Sequence, residues 1–491
     1  MTTDAQLITW LKSSTAKRCV LVEVSVSAGG VETLRYLSDK GYYTSPTSTP
    51  ANTLYEPLIN GGLDFTESIS LDGSPSISFG TIELANIAGE IDSWIEDVWT
   101  NRSIKLFIGD LTWERADFYQ IFDGVVADAD STSREKISIK MSDKLQRLNT
   151  SLSEVTLGGT TVNSDKLRPL LFGECHNITP LLADTALEEY MVHNGPIERI
   201  IEVRDNGINV DFTPDISRGT FRLNQAAVGT ITCSAQGYKP LLYTNSAFKL
   251  IVSIVKSYGN AQQRLTNADI DQDSFDSIDA LTQGSPVGIY LTEKSNVLDV
   301  CNKLASSVGG RLAFDRIGRL YCVRLDLAGI TGGTEVTYED MEEWSLDISS
   351  RPAVVAAVKV GYCKNYTTQT ALADGLPPNI AELYGQEWVT VTAKDEQVAN
   401  TYRLFTETTT QETQLLTTDS AIAESYRRLQ LFKTQRKVIR YNGEGYLLLE
   451  KLGDPQTLKH RRFGLENGKT GQIISISKDW FNAKVDFEVL I

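Results

Sequence analysis

The chain has 491 residues, more than one hydrophobic core usually serves, so two to four domains are expected. An apolar share of 41% and a charged share of 22% belong to an ordinary globular protein, and Gly and Pro are too few for a collagen-like or low-complexity chain. Forty-seven Lys and Arg against 63 Asp and Glu leave a net charge of −16, which argues against a dedicated nucleic-acid binder with a basic face.

Residues 1–17 hold no apolar h-region, and no run approaches the roughly 18 apolar residues of a membrane helix. A chain made in the cytoplasm, without a membrane span, is expected. Residues 19–27 alternate apolar and polar from Val22 onward and predict a half-buried strand. Further strands are expected at 34–37, 55–59, 65–71, 77–84, 104–109, 118–126 and 137–140, with a polar loop at 44–52. Short strands parted by turn residues point to a barrel or sandwich. Ile91, Trp94, Ile95 and Val98 recur at helical spacing and predict a helix over 89–99, with a brief closing helix at 143–148.

Asp205-Asn206-Gly207 predicts a hairpin between 197–204 and 207–212, and short strands follow at 221–223 and 229–233. Leu250, Ile251, Ile254 and Val255 form one apolar face and predict a helix over 247–258. A second helix is expected at 273–281 with Asp273 as its N-cap, a strand at 288–291, and a third helix at 296–307 stopped by Gly309-Gly310. A hairpin pairs 311–314 with 320–325. Beyond it come a strand at 354–360, a long loop at 365–387 containing Pro377-Pro378, a helix at 421–431, and strands at 437–441, 445–449, 471–477 and 484–490. A loop of that length is uncommon unless functional, and this one reads as a partner-contacting arm.

The expected fold class is mainly β and multi-domain: two related β-barrels with an inserted β-rich domain and a small α+β domain. The boundaries are 1–150 and 336–491 for the barrels, 151–245 for the β-rich insert and 246–335 for the α+β unit. Phe122-Asp123-Gly124-Val125-Val126 before 137–139, and Gly471-Gln472-Ile473-Ile474-Ser475-Ile476 before 485–487, end the two strand sets alike.

Chemistry-bearing residues are sparse. Cys19, Cys175, Cys233, Cys301, Cys322 and Cys363 lie far apart with no C-x-x-C, which favours reduced, buried thiols; an iron–sulfur cluster would need distant cysteines to converge. His176, His193 and His460 fall in no zinc or triad motif. Asp269, Asp271, Asp273, Asp276 and Asp279 start like a calcium loop. Ser274 stands where its glycine belongs and Ala280 where its glutamate belongs, so a solvated face with an N-cap is preferred. Trp94 and Trp99 read as core. Residues 427–478 carry twelve Lys and Arg against four acids. Within them Arg427, Arg428, Arg436, Lys437, Arg461 and Arg462 are the candidate partner-interface residues, the competing reading being a solvated, internally paired face.

Two segments carry a family resemblance. One is Phe79-Gly80-Thr81-Ile82-Glu83-Leu84-Ala85-Asn86, then Gly89 to Trp94, Trp99, Arg102 and Lys105-Leu106-Phe107-Ile108-Gly109-Asp110. The other is Lys451-Leu452-Gly453-Asp454-Pro455, then Arg462 to Gly471, then Asp479-Trp480, with Asp315-Arg316-Ile317-Gly318-Arg319-Leu320 between the two. Together they resemble the baseplate hub, or tail-tip, proteins of long non-contractile-tailed bacteriophages and related gene-transfer particles. The resemblance implies a homotrimer whose two barrels per subunit make a pseudo-sixfold ring in the virion tail. Such a ring meets the hexameric distal tail protein ring, the tape-measure protein C-terminus, and a central fibre or other tail-tip proteins, with DNA passing transiently through the lumen. Some such hubs carry an iron–sulfur cluster or a fused peptidoglycan hydrolase; this sequence holds no clustered Cys quartet and no recognisable lytic domain. The expectation is a structural protein, not an enzyme, with no cofactor, no metal and no catalytic residue. Two other readings stand beside it: the hexameric distal tail ring protein, and a carboxylate-dependent peptidoglycan hydrolase, since two acids suffice for glycoside chemistry.

Overall fold

A computed structural model describes residues 2–71, 78–369 and 377–491. The protein is mainly β and multi-domain. Among the described residues, thirteen strands from both ends of the chain form one sheet. From one edge it runs Val31–Ser38, Arg18–Ala28, Ser103–Asp110, Tyr119–Ser133, Lys136–Ser142, Phe79–Ala85 and Ile59–Ser68. It continues through Lys469–Asp479, Lys484–Leu490 and Val438–Glu444 to Asp347–Ser350. Alternation explains the inner face: Val20, Val22, Val24 and Val26 enter the same core as Ile104, Leu106 and Ile108. That core also takes Ile439, Ile473, Ile476 and Phe487, so the barrel-like sets expected at the two ends share one sheet and one core.

The strand Lys469–Asp479 makes the join. One of its edges pairs with Lys484–Leu490 from Gln472 to Asp479. The other pairs first with Pro455–Lys459 and then, past Gln472, switches to Ile59–Ser68, with Ser475 opposite Ser68 and Asp479 opposite Asp64. A bulge between Ile473 and Ser475 marks the switch.

A five-stranded sheet is built around Leu170–Ile178, which pairs with Ile231–Tyr238 on one side and with Gly288–Leu291 on the other. Gly288–Leu291, expected in the α+β unit, thus completes the preceding sheet. A third core gathers the helices Ala247–Ser257, Gln272–Leu281 and Val297–Ser307. It also takes Val358 and Val360 from Ala357–Tyr362, and Ala421 and Leu429 from the helix Thr418–Phe432. Part of the 336–491 stretch therefore packs with the α+β helices rather than with the large sheet.

Several local expectations are corrected. No α-helix forms over 89–99; 3-10 turns at Ile87–Gly89 and Asp92–Glu96 replace it, with Ile95 and Val98 exposed. Asn86 is the reason: its Oδ1 accepts from Ile91 N at 3.1 Å and its Nδ2 donates to Asp92 Oδ1 at 2.6 Å, so a side chain competes with the helical ladder. Residues 445–449 form a 3-10 turn, Gly445–Leu449, not a strand. Asp271, not Asp273, occupies the N-cap position of Gln272–Leu281. The expected loop 365–387 contains a helix, Pro378–Gly385, which starts at Pro378 because its missing N–H costs nothing in a first turn. Ile77 of the expected 77–84 strand and residues 370–376 of that loop lie outside the described residues.

Candidate interaction surfaces

The seam between the two ends of the chain is polar inside. Lys478 Nζ approaches Glu67 Oε1 at 3.9 Å, both side chains buried, and Thr66 Oγ1 bonds Ser477 Oγ at 2.9 Å. Burial pushes the Glu67 carboxyl up, and the Lys478 charge offsets this only in part. Asp143 follows the same pattern. Burial raises it to about 7 although the amides of Ser78 and Leu145 each donate to one of its oxygens at 2.9 Å. A carboxylate hydrolase needs a raised carboxyl that reaches substrate. Asp143 has the elevation but is 3% exposed, with both oxygens turned to backbone.

The six basic residues are dispersed. Arg427 and Arg428 lie on Thr418–Phe432 and share one buried acid: Arg427 Nε and Nη2 donate to Glu424 at 2.7 Å each, and Arg428 Nε at 2.6 Å. Arg428 also donates to Gln411 Oε1 and to the Ser306 carbonyl. Arg436 Nε donates to the Leu431 carbonyl at 2.9 Å, closing the C-terminal turn of that helix. Lys437 Nζ donates to the Phe463 carbonyl at 2.8 Å. Arg461 and Arg462 are exposed, on the loop between Pro455–Lys459 and Lys469–Asp479, where Phe463 and Gly464 both take positive φ. The Arg462 guanidinium stands 4.8 Å from the Phe463 ring centroid. The structure thus places four of the six in internal bonds and leaves Arg461 and Arg462 facing outward.

Composition did not flag two exposed apolar features. At one end of the large sheet Val31 and Leu34 are 67% and 52% exposed on a strand that pairs with Arg18–Ala28. Among the described residues, the bridge from Leu37 to Glu56 covers part of its outer edge. Leu241 and Leu242, 88% and 83% exposed, stand in the loop after Ile231–Tyr238. The available signal was an apolar pair set between Pro240 and Asn245 with no strand or helix period to bury it.

Several of the remaining motif residues have structural partners. Asp269 accepts from the Thr266 amide and hydroxyl, Asp271 lies 3.7 Å from Arg319, and Asp279 takes Lys249 at 3.3 Å and the Ser246 hydroxyl. Burial depresses His193 to about 3; its Nδ1 accepts from Leu171 N at 2.9 Å, and Phe172 and Tyr238 pack around the ring. That neutral imidazole ties the bend after Glu189–Met191 to the strand Leu170–Ile178. Five cysteines are buried and Cys363 is half-buried, all as free thiols. Trp99 is buried with Nε1 on the Trp94 carbonyl, and the Arg35 guanidinium lies 3.8 Å from the Trp94 ring centroid.

No protein-family model and no curated protein matches the chain. Among solved structures, the chain is similar to the 43 kDa tail protein of prophage MuSo2 from Shewanella oneidensis, at 11% identity and a TM-score of 0.41 over 95% of this chain and 98% of that one. It is similar to a tail protein from Neisseria meningitidis MC58, at 8% identity and 0.39, covering 96% of each. It is also similar to prophage tail protein gp18 from Listeria monocytogenes EGD-e, at 8% and 0.42, over 96% of this chain and 94% of that one.

Proposed function

We propose that this chain is a structural component of a bacteriophage tail, a baseplate hub subunit. In this reading three copies form a ring joining the hexameric distal tail ring to the tail tip or central fibre and closing the tail channel. The reading rests on the sequence resemblance and on the seam, since the likeness to solved tail proteins is too loose to carry it. The resemblance assigns the two ends of the chain to paired units of a pseudo-sixfold ring, and those two ends are hydrogen-bonded side by side through Ile59–Ser68 and Lys469–Asp479. A block of two joined units, repeated by contact of unlike faces around a closed axis, doubles the apparent symmetry of a trimer. The strands at its two edges, Val31–Ser38 and Asp347–Ser350, offer backbone that a neighbour can cover. The distal tail ring and the tape-measure protein C-terminus are the proposed partners along the axis, and the virion tail the proposed location.

Mass photometry of the assembled chain tests the reading. Three copies support the hub, six support the distal ring protein, and a stable monomer removes both. A clear zone in a peptidoglycan zymogram would favour the hydrolase instead.

A further inference from the structure

Beneath the helix Thr418–Phe432 lies a cleft of about 450 Å³, within the range of ligand sites. Leu71, Leu325, Val355, Val358, Leu431 and Phe432 form its apolar wall. Arg311, Arg427 and Arg428 form its polar wall, with the exposed Glu412 at its border. Arg427 and Arg428 divide the single carboxylate of Glu424 between them. Arg311 projects from Gly310–Phe314 and donates only to carbonyls, Nε to Ser70 O at 3.0 Å and Nη1 to Gly310 O at 2.8 Å. Among the described residues no carboxylate lies within ion-pair distance of Arg311 and no group accepts from its Nη2. Burial, and then the charges of Arg427 and Arg428, lower the Arg311 guanidinium to about 10, which leaves it cationic at neutral pH.

We infer that this cleft binds a carboxylate-bearing peptide segment of a protein partner, an aliphatic side chain set beside an Asp, Glu or terminal carboxylate. The guanidinium fork matches a carboxylate, and three cations face two acids in this wall. A bare inorganic anion would satisfy Arg311 but leave the apolar half of the cleft against water. An aliphatic neighbour fills that half and makes the local dielectric lower, which strengthens the charge pair. With a chain net charge of −16, long-range attraction does not bring an anion here; recognition is by close contact and resists salt. The inference does not rest on the tail reading, and either can fail alone.

The test is saturation-transfer NMR on the full chain with three probes: N-acetyl-Leu-Asp, its uncharged counterpart N-acetyl-Leu-Asn amide, and inorganic phosphate. The expected result is binding of the acidic dipeptide through both its leucine methyls and its carboxylate side, with the amide about tenfold weaker. Arg311→Gln should weaken the acidic dipeptide about tenfold with unchanged circular dichroism. Arg311→Lys, which keeps charge but loses the fork, should weaken it severalfold and serves if the Gln variant fails to fold. Equal binding of the amide, indifference to both variants, or no binding of the acidic dipeptide overturns the inference. So does phosphate displacing the dipeptide at equal concentration, which would mark an anion site only.

Discussion

Lys478 and Glu67 meet across the seam, Nζ 3.9 Å from Oε1, and bring opposite ends of the chain into one buried ion pair. Removing Lys478 leaves the Glu67 carboxylate buried without its nearest counter-charge, which costs about 3 kcal/mol, while Lys478 keeps Glu450 and Asp454 nearby when Glu67 is removed. Lys478→Met is expected to lower stability by about that amount in urea denaturation at pH 7.5, whereas Glu67→Gln, which removes a carboxylate whose burial outweighs its pairing, should cost less than about 1 kcal/mol. The double variant should recover at least about 1 kcal/mol of the summed loss, because the two changes share one interaction. Strict additivity would show the pair to be uncoupled.

The carboxyls near this seam give an unusual pH dependence. Asp143, held up to about 7, binds its proton more tightly folded than unfolded, and Glu67 shifts the same way. The Asp143 contribution favours the folded state below the ordinary carboxylate range and is lost as pH rises towards 7, and Glu67 adds to it in the same direction. Glu424 runs the other way: burial would raise it, but Arg427 and Arg428 hold it below its usual value, so its contribution is lost only at still lower pH. His193, depressed to about 3, loses stability over the same range because the unfolded chain protonates its imidazole first, so Asp143 and Glu67 are expected to contribute a rise in Tm from pH 7.5 to 5.5 that offsets the His193 loss. Asp143→Ala should remove its share of that rise; a pH dependence of Tm unchanged by the substitution would assign it elsewhere.

Gly309 has φ +78°, and a Cβ built there would sit 2.5 Å from the Arg427 Cζ. Gly309→Ala thus combines backbone strain with displacement of a buried guanidinium, at an expected cost of about 2 kcal/mol or more. The readout is the urea midpoint, and a loss under about 0.5 kcal/mol would mean that Arg427 swings aside freely.

Arg461 and Arg462 are exposed, so reversing both charges should leave the fold intact within about 0.5 kcal/mol. If this turn meets an acidic partner ring, Arg461→Glu with Arg462→Glu cuts the yield of complete particles while the purified chain keeps its Tm. Normal particle yield would remove this turn from the interface.

Much of the secondary structure was legible because apolar period reports which face of a strand or helix is buried. Ala247–Ser257, Val297–Ser307 with its Gly309 stop, and Lys484–Leu490 all emerge from spacing alone. The Asn206-Gly207 turn is equally local: both residues take positive φ where the hairpin reverses. Period misled over 89–99, because it cannot register a side chain such as Asn86 competing for the backbone. It also missed the start of Ile59–Ser68, where Gly61 and Gly62 interrupt the alternation at two bulges.

Composition and alternation, being properties of neighbours along the backbone, were enough to mark a mainly β, acidic chain with few residues suited to metal or imidazole chemistry. The assembled fold was needed to reveal that Lys469–Asp479 exchanges one partner for Ile59–Ser68 midway. It alone shows, too, that Arg427 and Arg428 turn inward to Glu424 while Arg461 and Arg462 stay outside. Alternation states that a strand has a buried face and an unpaired edge, but every strand has both. Which edge meets which, and which charge finds a counter-charge, is settled by packing between segments hundreds of residues apart.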